Sequence, residues 1–108
     1  MRKVLFEGYW FKVCKNETEL KKEIIKVWGE IHPGQELHHI FGRVGILKLM
    51  PDNVMPVNSN YHRMQKSLDL KQRIVFQDMV SMKIDMLIYN RLSRLADYIK
   101  NINVLFGK

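Results

Sequence analysis

The chain has 108 residues, 46% of them apolar, and a net charge of +7, values expected of one domain with a modest core and not of a disordered segment. The single cysteine, Cys14, excludes an intrachain disulfide and a four-cysteine zinc ribbon, and there is no run of about 18 apolar residues to span a membrane. Positive charge is spread along the chain, nine basic against six acidic residues in 1–50 and nine against five in 51–108, which points to a polyanionic partner.

The opening stretch KVLFEGYWFKV is rich in β-branched and aromatic residues and reads as one or two short strands about Gly8, or as an irregular apolar arm on the core. Glu7 interrupts it too soon for a secretion signal, so a soluble, cytoplasmic protein is expected. A helix follows. Asn16 can cap its first amides, and Glu19 stands three residues on, a capping-box spacing. Leu20, Ile24, Val27, Trp28 and Ile31 recur at three- and four-residue steps and mark one apolar face, with Lys21, Lys22 and Lys26 off it. Pro33 and Gly34 place the expected end of this helix near HPG, and His32 reads as a helix-end residue favourable to the dipole.

Next comes QELHHIF, a strand, then GRVGILKLMPD, a loop holding two glycines and a proline. NVMPV is a second short strand that Pro56 confines to an edge or its end, and Ser59 is the expected cap of a helix beginning NYHRMQKS. From Leu68 to about Asn101 the pattern is helical again and carries two stripes. Val75, Met79, Met82, Met86 and Tyr89 form a heptad-like seam; Ile84, Ile88, Leu92, Leu95, Ile99 and Ile102 form the second. One stripe suffices to dock on the domain's own core. Two imply either a helical hairpin breaking near Asn90 or a stripe left for a second subunit, and a homodimer through the C-terminal helices is the favoured expectation.

Adjacent histidines at 38 and 39 are unusual as packing residues, because neighbours on a strand point to opposite faces. Asn53 lies 14 residues after His39, and His62 lies 9 after Asn53. Written out, the pattern is LHHIFGR, then DNVMPV, then NYHRMQK. In residue types, spacing and strand–loop–strand–helix order it resembles the HNH nucleases, the ββα-metal family that includes colicin DNases and many phage and homing endonucleases. The resemblance covers residues 36 to about 66.

It implies an α+β fold in which a ββα-metal finger is flanked by the N-terminal amphipathic helix and by a C-terminal helix or helical hairpin. The implied activity is endonucleolytic hydrolysis of DNA to 5′-phosphate and 3′-hydroxyl ends, with RNA left open as a substrate. Such chemistry needs an activated water, neutralised phosphoryl oxygens and help for the leaving oxygen. One divalent cation can meet the last two needs, and a histidine of ordinary pKa about 6.5 can take the water's proton. By resemblance His39 is the general base, His38 and His62 are the metal ligands, and Asn53 ties down the loop that orients His39. The implied cofactor is one divalent ion, Mg, Mn, Zn or Ni; a pair of imidazoles favours Zn, Ni or Mn over Mg.

The chain departs from the family in two places. It lacks the paired cysteines that hold a zinc in some relatives, and Lys66 stands where others carry a third metal-binding histidine. Arg43, Arg63 and Lys66 are candidate phosphate contacts, each weighed against a plain solvated charge, and Glu36 is left unassigned. Small lone HNH proteins resemble those of phages and mobile elements. The alternatives are an inactive HNH-fold protein that binds nucleic acid and a helical interaction module in which the histidines are incidental.

Overall fold

A computed structural model describes residues 1–64 and 86–105 of the chain. The opening stretch forms a ribbon, strands β1 (Arg2–Phe6) and β2 (Tyr9–Val13), paired antiparallel with Phe6 opposite Tyr9. Glu7 and Gly8 join them at φ 49° and 78°, the sign pattern of a type I′ turn, whose twist matches paired strands. A glycine accepts this conformation freely, whereas Glu7 is strained by it. The Glu7 carboxylate is in turn held by Arg94 Nε at 2.7 and 2.9 Å. Along β2, Phe11 and Val13 are buried while Trp10 and Lys12 face out, the period-two alternation of a half-covered sheet.

Helix α1 (Glu17–Trp28) starts as its capping residues dictate, with Asn16 Oδ1 accepting the Glu19 N–H at 2.9 Å. Leu20 and Ile24 carry its buried face. Its end is earlier than HPG. Gly29 at φ 85° donates its N–H to the Ile25 carbonyl at 2.8 Å and turns the chain away, which a residue with a Cβ does at a cost. His32 is therefore a loop residue and not a helix end; its N–H donates to Gln35 Oε1 at 2.9 Å.

Strands β3 (Gln35–His39) and β4 (Val54–Asn58) make a second antiparallel ribbon, with Gln35 opposite Asn58 and His39 opposite Val54. Two tight 3₁₀ turns, Gly45–Leu49 and Pro51–Asn53, fill the loop between them. Helix α2 (Ser59–Met64) leaves β4 directly. The side chain that accepts at its start is Asn58, whose Oδ1 takes the Asn60 N–H at 2.9 Å, and not the expected Ser59. An Asn side-chain oxygen bonding the amide two residues on is the Asx-turn arrangement.

Helix α3 (Met86–Leu105) runs unbroken through Asn90. The hairpin break expected there is corrected: Asn90 is exposed, and on that side its amide does not disturb the apolar stripe. Leu92, Leu95 and Ala96, with Ile88 and Ile99, pack against Phe11, Val13, Leu47 and Met50. Ile88, Leu92, Leu95 and Ile99 of the second stripe are thus docked on the chain's own core; Ile84 lies outside the described residues. Of the first seam, Val75, Met79 and Met82 lie outside the described residues, and Tyr89 is buried with its ring 4.9 Å from that of Phe41.

The fold is thus α+β, two two-stranded antiparallel sheets with helices packed about them. A second cluster of Cys14, Leu20, Ile24 and Val54 joins α1 to the β3–β4 ribbon, and Leu49 touches both clusters. Among the described residues no helix is long and apolar enough to cross a membrane.

Candidate active site

Asn53 is the only buried polar residue of the described core, and its side chain makes three hydrogen bonds to the loop backbone. Oδ1 accepts the Phe41 N–H at 2.9 Å, while Nδ2 donates to the carbonyls of Gly42 and Leu47, each at 3.0 Å. Its own carbonyl accepts the Ile40 N–H at 2.8 Å. A buried amide with both its oxygen and its two N–H groups paired fixes a backbone in one arrangement. Here it closes the loop from Ile40 to Leu47 on itself and so fixes where β3 ends, at His39. Tyr89 of α3 braces the same corner through Phe41.

Alternation along β3 sends Glu36 and His38 to one side of the ribbon and Leu37 and His39 to the other. On the first side, the His38 and His62 rings are 5.1 Å apart between centroids and inclined at 66°. His62 comes from α2, so strand and helix each supply one imidazole. Glu36 Oε2 lies 2.6 Å from His62 Nδ1. A carboxylate only accepts, so Nδ1 carries the hydrogen, and in the neutral ring Nε2 holds the lone pair. A carboxylate on the far nitrogen of a ligating histidine orients the ring and raises its basicity. By donor type the imidazole pair suits a borderline divalent cation such as Zn or Ni. No group of three or more His, Cys, Asp or Glu side chains stands together as a metal site among the described residues. A pair of protein donors leaves positions for water and phosphate.

Removing the Glu36 carboxylate tests this arrangement. Glu36→Ala is expected to weaken Zn²⁺ or Mn²⁺ binding about 10–100-fold, read by isothermal titration, with the unfolding midpoint unchanged. Equal affinities in the two proteins would show that Glu36 does not orient a ligand.

On the other side, His39 Nε2 lies 3.0 Å from the Lys48 carbonyl. A carbonyl accepts, so Nε2–H is the donor and the lone pair of the neutral ring is on Nδ1. Nδ1 is shielded from solvent and has no hydrogen-bond partner among the described residues. Burial pushes the imidazole pKa below its usual value, and the nearby Arg43 and Lys48 charges push the same way; the Lys48 carbonyl and Glu17 oppose them. The result is a neutral ring with a vacant acceptor, the state a general base needs. His39 and Val54 are the last pair of the ribbon, so only around that end can one ligand meet both His38 and His39.

Arg43 lines a cavity of about 210 Å³ with His39, Lys48, Glu17, Leu20 and Leu37. Arg63 is exposed on α2, and Lys66 lies outside the described residues. The sequence pointed to neither Glu36 nor Lys48. Glu36 shares strand parity with His38, a signal that was available; Lys48 is placed by the folding of the loop, for which there was none. No family model matches the chain, and no curated protein or solved structure does.

Proposed function

We propose that this chain is a metal-dependent endonuclease that hydrolyses phosphodiester bonds of DNA inside the cell, on a ββα-metal unit formed by β3, β4 and α2. The observation that carries the proposal is the imidazole pair, His38 and His62, brought from two elements to a ring separation of 5.1 Å with a carboxylate on the outer nitrogen of one. Chance surface histidines have no need of an orienting carboxylate.

His38 and His62 hold one divalent cation, and Asn53 fixes the loop that presents His39. When bound, that cation neutralises the phosphoryl oxygens and the departing 3′-oxygen. His39, oriented through Nε2 by the Lys48 carbonyl, accepts a proton at Nδ1 from the attacking water. A phosphate lying across the end of the β3–β4 ribbon meets both sides of the strand at once. Nδ1 is covered in the free chain, so docking of the phosphate and its water has to open the cover over Nδ1 while Nε2 stays on the Lys48 carbonyl. Arg43 and Arg63 contribute charge to flanking phosphates, contacts that position DNA without reading its sequence.

Supercoiled plasmid incubated with the purified chain in Mg²⁺, Mn²⁺, Ni²⁺ or Zn²⁺ tests the activity. Relaxed or linear product in at least one ion, none in EDTA, and none from His62→Ala in that ion is the expected pattern. A wild-type chain that binds plasmid and leaves it intact in all four would make it a binder and not an enzyme.

A further inference from the structure

The cavity beside His39 is lined by more charge than the catalytic roles above use. Arg43 and Lys48 stand on its loop side, and Glu17, the first residue of α1, stands opposite. Lys48 Nζ is 3.9 Å from Glu17 Oε1, and both side chains are largely exposed. The Lys48 carbonyl meanwhile holds the His39 ring, so the root of the lysine is fixed with respect to the imidazole. Two cations here face one carboxylate, leaving a surplus positive charge at the mouth of a cavity large enough for a phosphate group.

Resting on the nuclease proposed above, we infer that Arg43 and Lys48 form a subsite for a DNA backbone phosphate next to the scissile one, and that the Glu17 carboxylate stands in its place in the free chain. The two cations suit the task differently. Arg43 offers a planar fork that matches two phosphate oxygens, whereas Lys48 offers a compact charge on a flexible stem. An exposed ion pair at 3.9 Å is weak and screened by salt, so an incoming phosphate displaces Glu17 readily. The positive end of the α1 dipole lies at the same place and adds to the field once the carboxylate swings off. Occupying the subsite also sets DNA against the His39 side of the ribbon, while the imidazole pair lies on the other. One strand of DNA would thus bridge the ribbon's end.

The test is binding of a short DNA duplex in EDTA, where cutting does not occur, across a series of salt concentrations. Lys48→Met is expected to weaken binding and to make the slope of log K against log salt shallower by about one, the loss of one phosphate contact. Glu17→Gln is expected to tighten binding at low salt, and that gain is expected to vanish when combined with Lys48→Met. Wild-type affinity and slope in Lys48→Met would overturn the subsite. So would an equal gain from Glu17→Gln in both backgrounds, which would mark a general charge effect, or a wild-type chain that does not bind the duplex. Failure of the nuclease itself shows elsewhere, as a chain that gives the expected cycle in EDTA yet cuts in no divalent ion.

Discussion

His39→Ala is expected to lower DNA cleavage about 10²–10⁴-fold, the usual loss when a positioned proton acceptor is removed, while affinity for DNA in EDTA stays near wild type. The reason lies in how the ring is held. Nε2 is committed to the Lys48 carbonyl at 3.0 Å, which leaves Nδ1 as the acceptor, and burial disfavours the imidazolium. The sign of the pH dependence follows. Only the neutral ring accepts a proton, and a lowered pKa keeps it neutral further into acid. Cleavage by wild type is therefore expected to hold as pH falls to the ordinary imidazole value of about 6.5 and to decline only below it. A variant that cuts as fast as wild type, or a rate that already falls between pH 8 and 7, would remove His39 from the role of base.

The largest stability effect is expected at Asn53. Asn53→Ala leaves the Phe41 N–H and the Gly42 and Leu47 carbonyls without the partner they now have, in a position fully closed to solvent. A buried polar group left unpaired costs roughly 1–3 kcal/mol; the Leu47 bond is buried and the Phe41 and Gly42 bonds partly so, and the three are coupled through one side chain, so about 2–4 kcal/mol in total is expected. That is a large part of the ~5–15 kcal/mol that holds a domain of this kind together. Denaturant unfolding monitored by tryptophan fluorescence measures it. Asn53→Asp is expected to be nearly as damaging, since a carboxylate keeps the bond to Phe41 but repels the two carbonyls. A loss under about 1 kcal/mol, within what a plain surface substitution can give, would mean that the loop is held by something else.

These two residues were visible in the sequence for different reasons from those that were not. The start of α1 is local chemistry, Asn16 and Glu19 three residues apart, and any reader of capping residues finds it. The end of α1 comes before Pro33 and Gly34, the stronger punctuation in the sequence, because Gly29, itself at a positive φ, acts first. Asn53 declared itself only through its spacing from two histidines; nothing about an asparagine between Asp52 and Val54 shows that it will be sealed in the core. Glu36 stays open in the sequence between facing the site and solvating the strand, because a charge on a short strand normally faces water. Its partner His62 is 26 residues away, and the strand parity it shares with His38 gains meaning only once α2 is known to cross that side. The Glu17, Arg43 and Lys48 cluster lay beyond sequence reasoning, since it depends on how α1 settles against the loop. Met82 and the seam around it had a clear period but no indication of what would cover it.

The proposed mechanism depends on one cation joining β3 to α2 through His38 and His62. An anomalous difference map from a crystal soaked in Zn²⁺ or Mn²⁺ tests this most directly. The expected result is one strong peak per chain between the two imidazoles, at about 2.0–2.1 Å from His62 Nε2 if the ion is Zn²⁺. A map with no peak there, or with the ion held by side chains that include neither histidine, would contradict it.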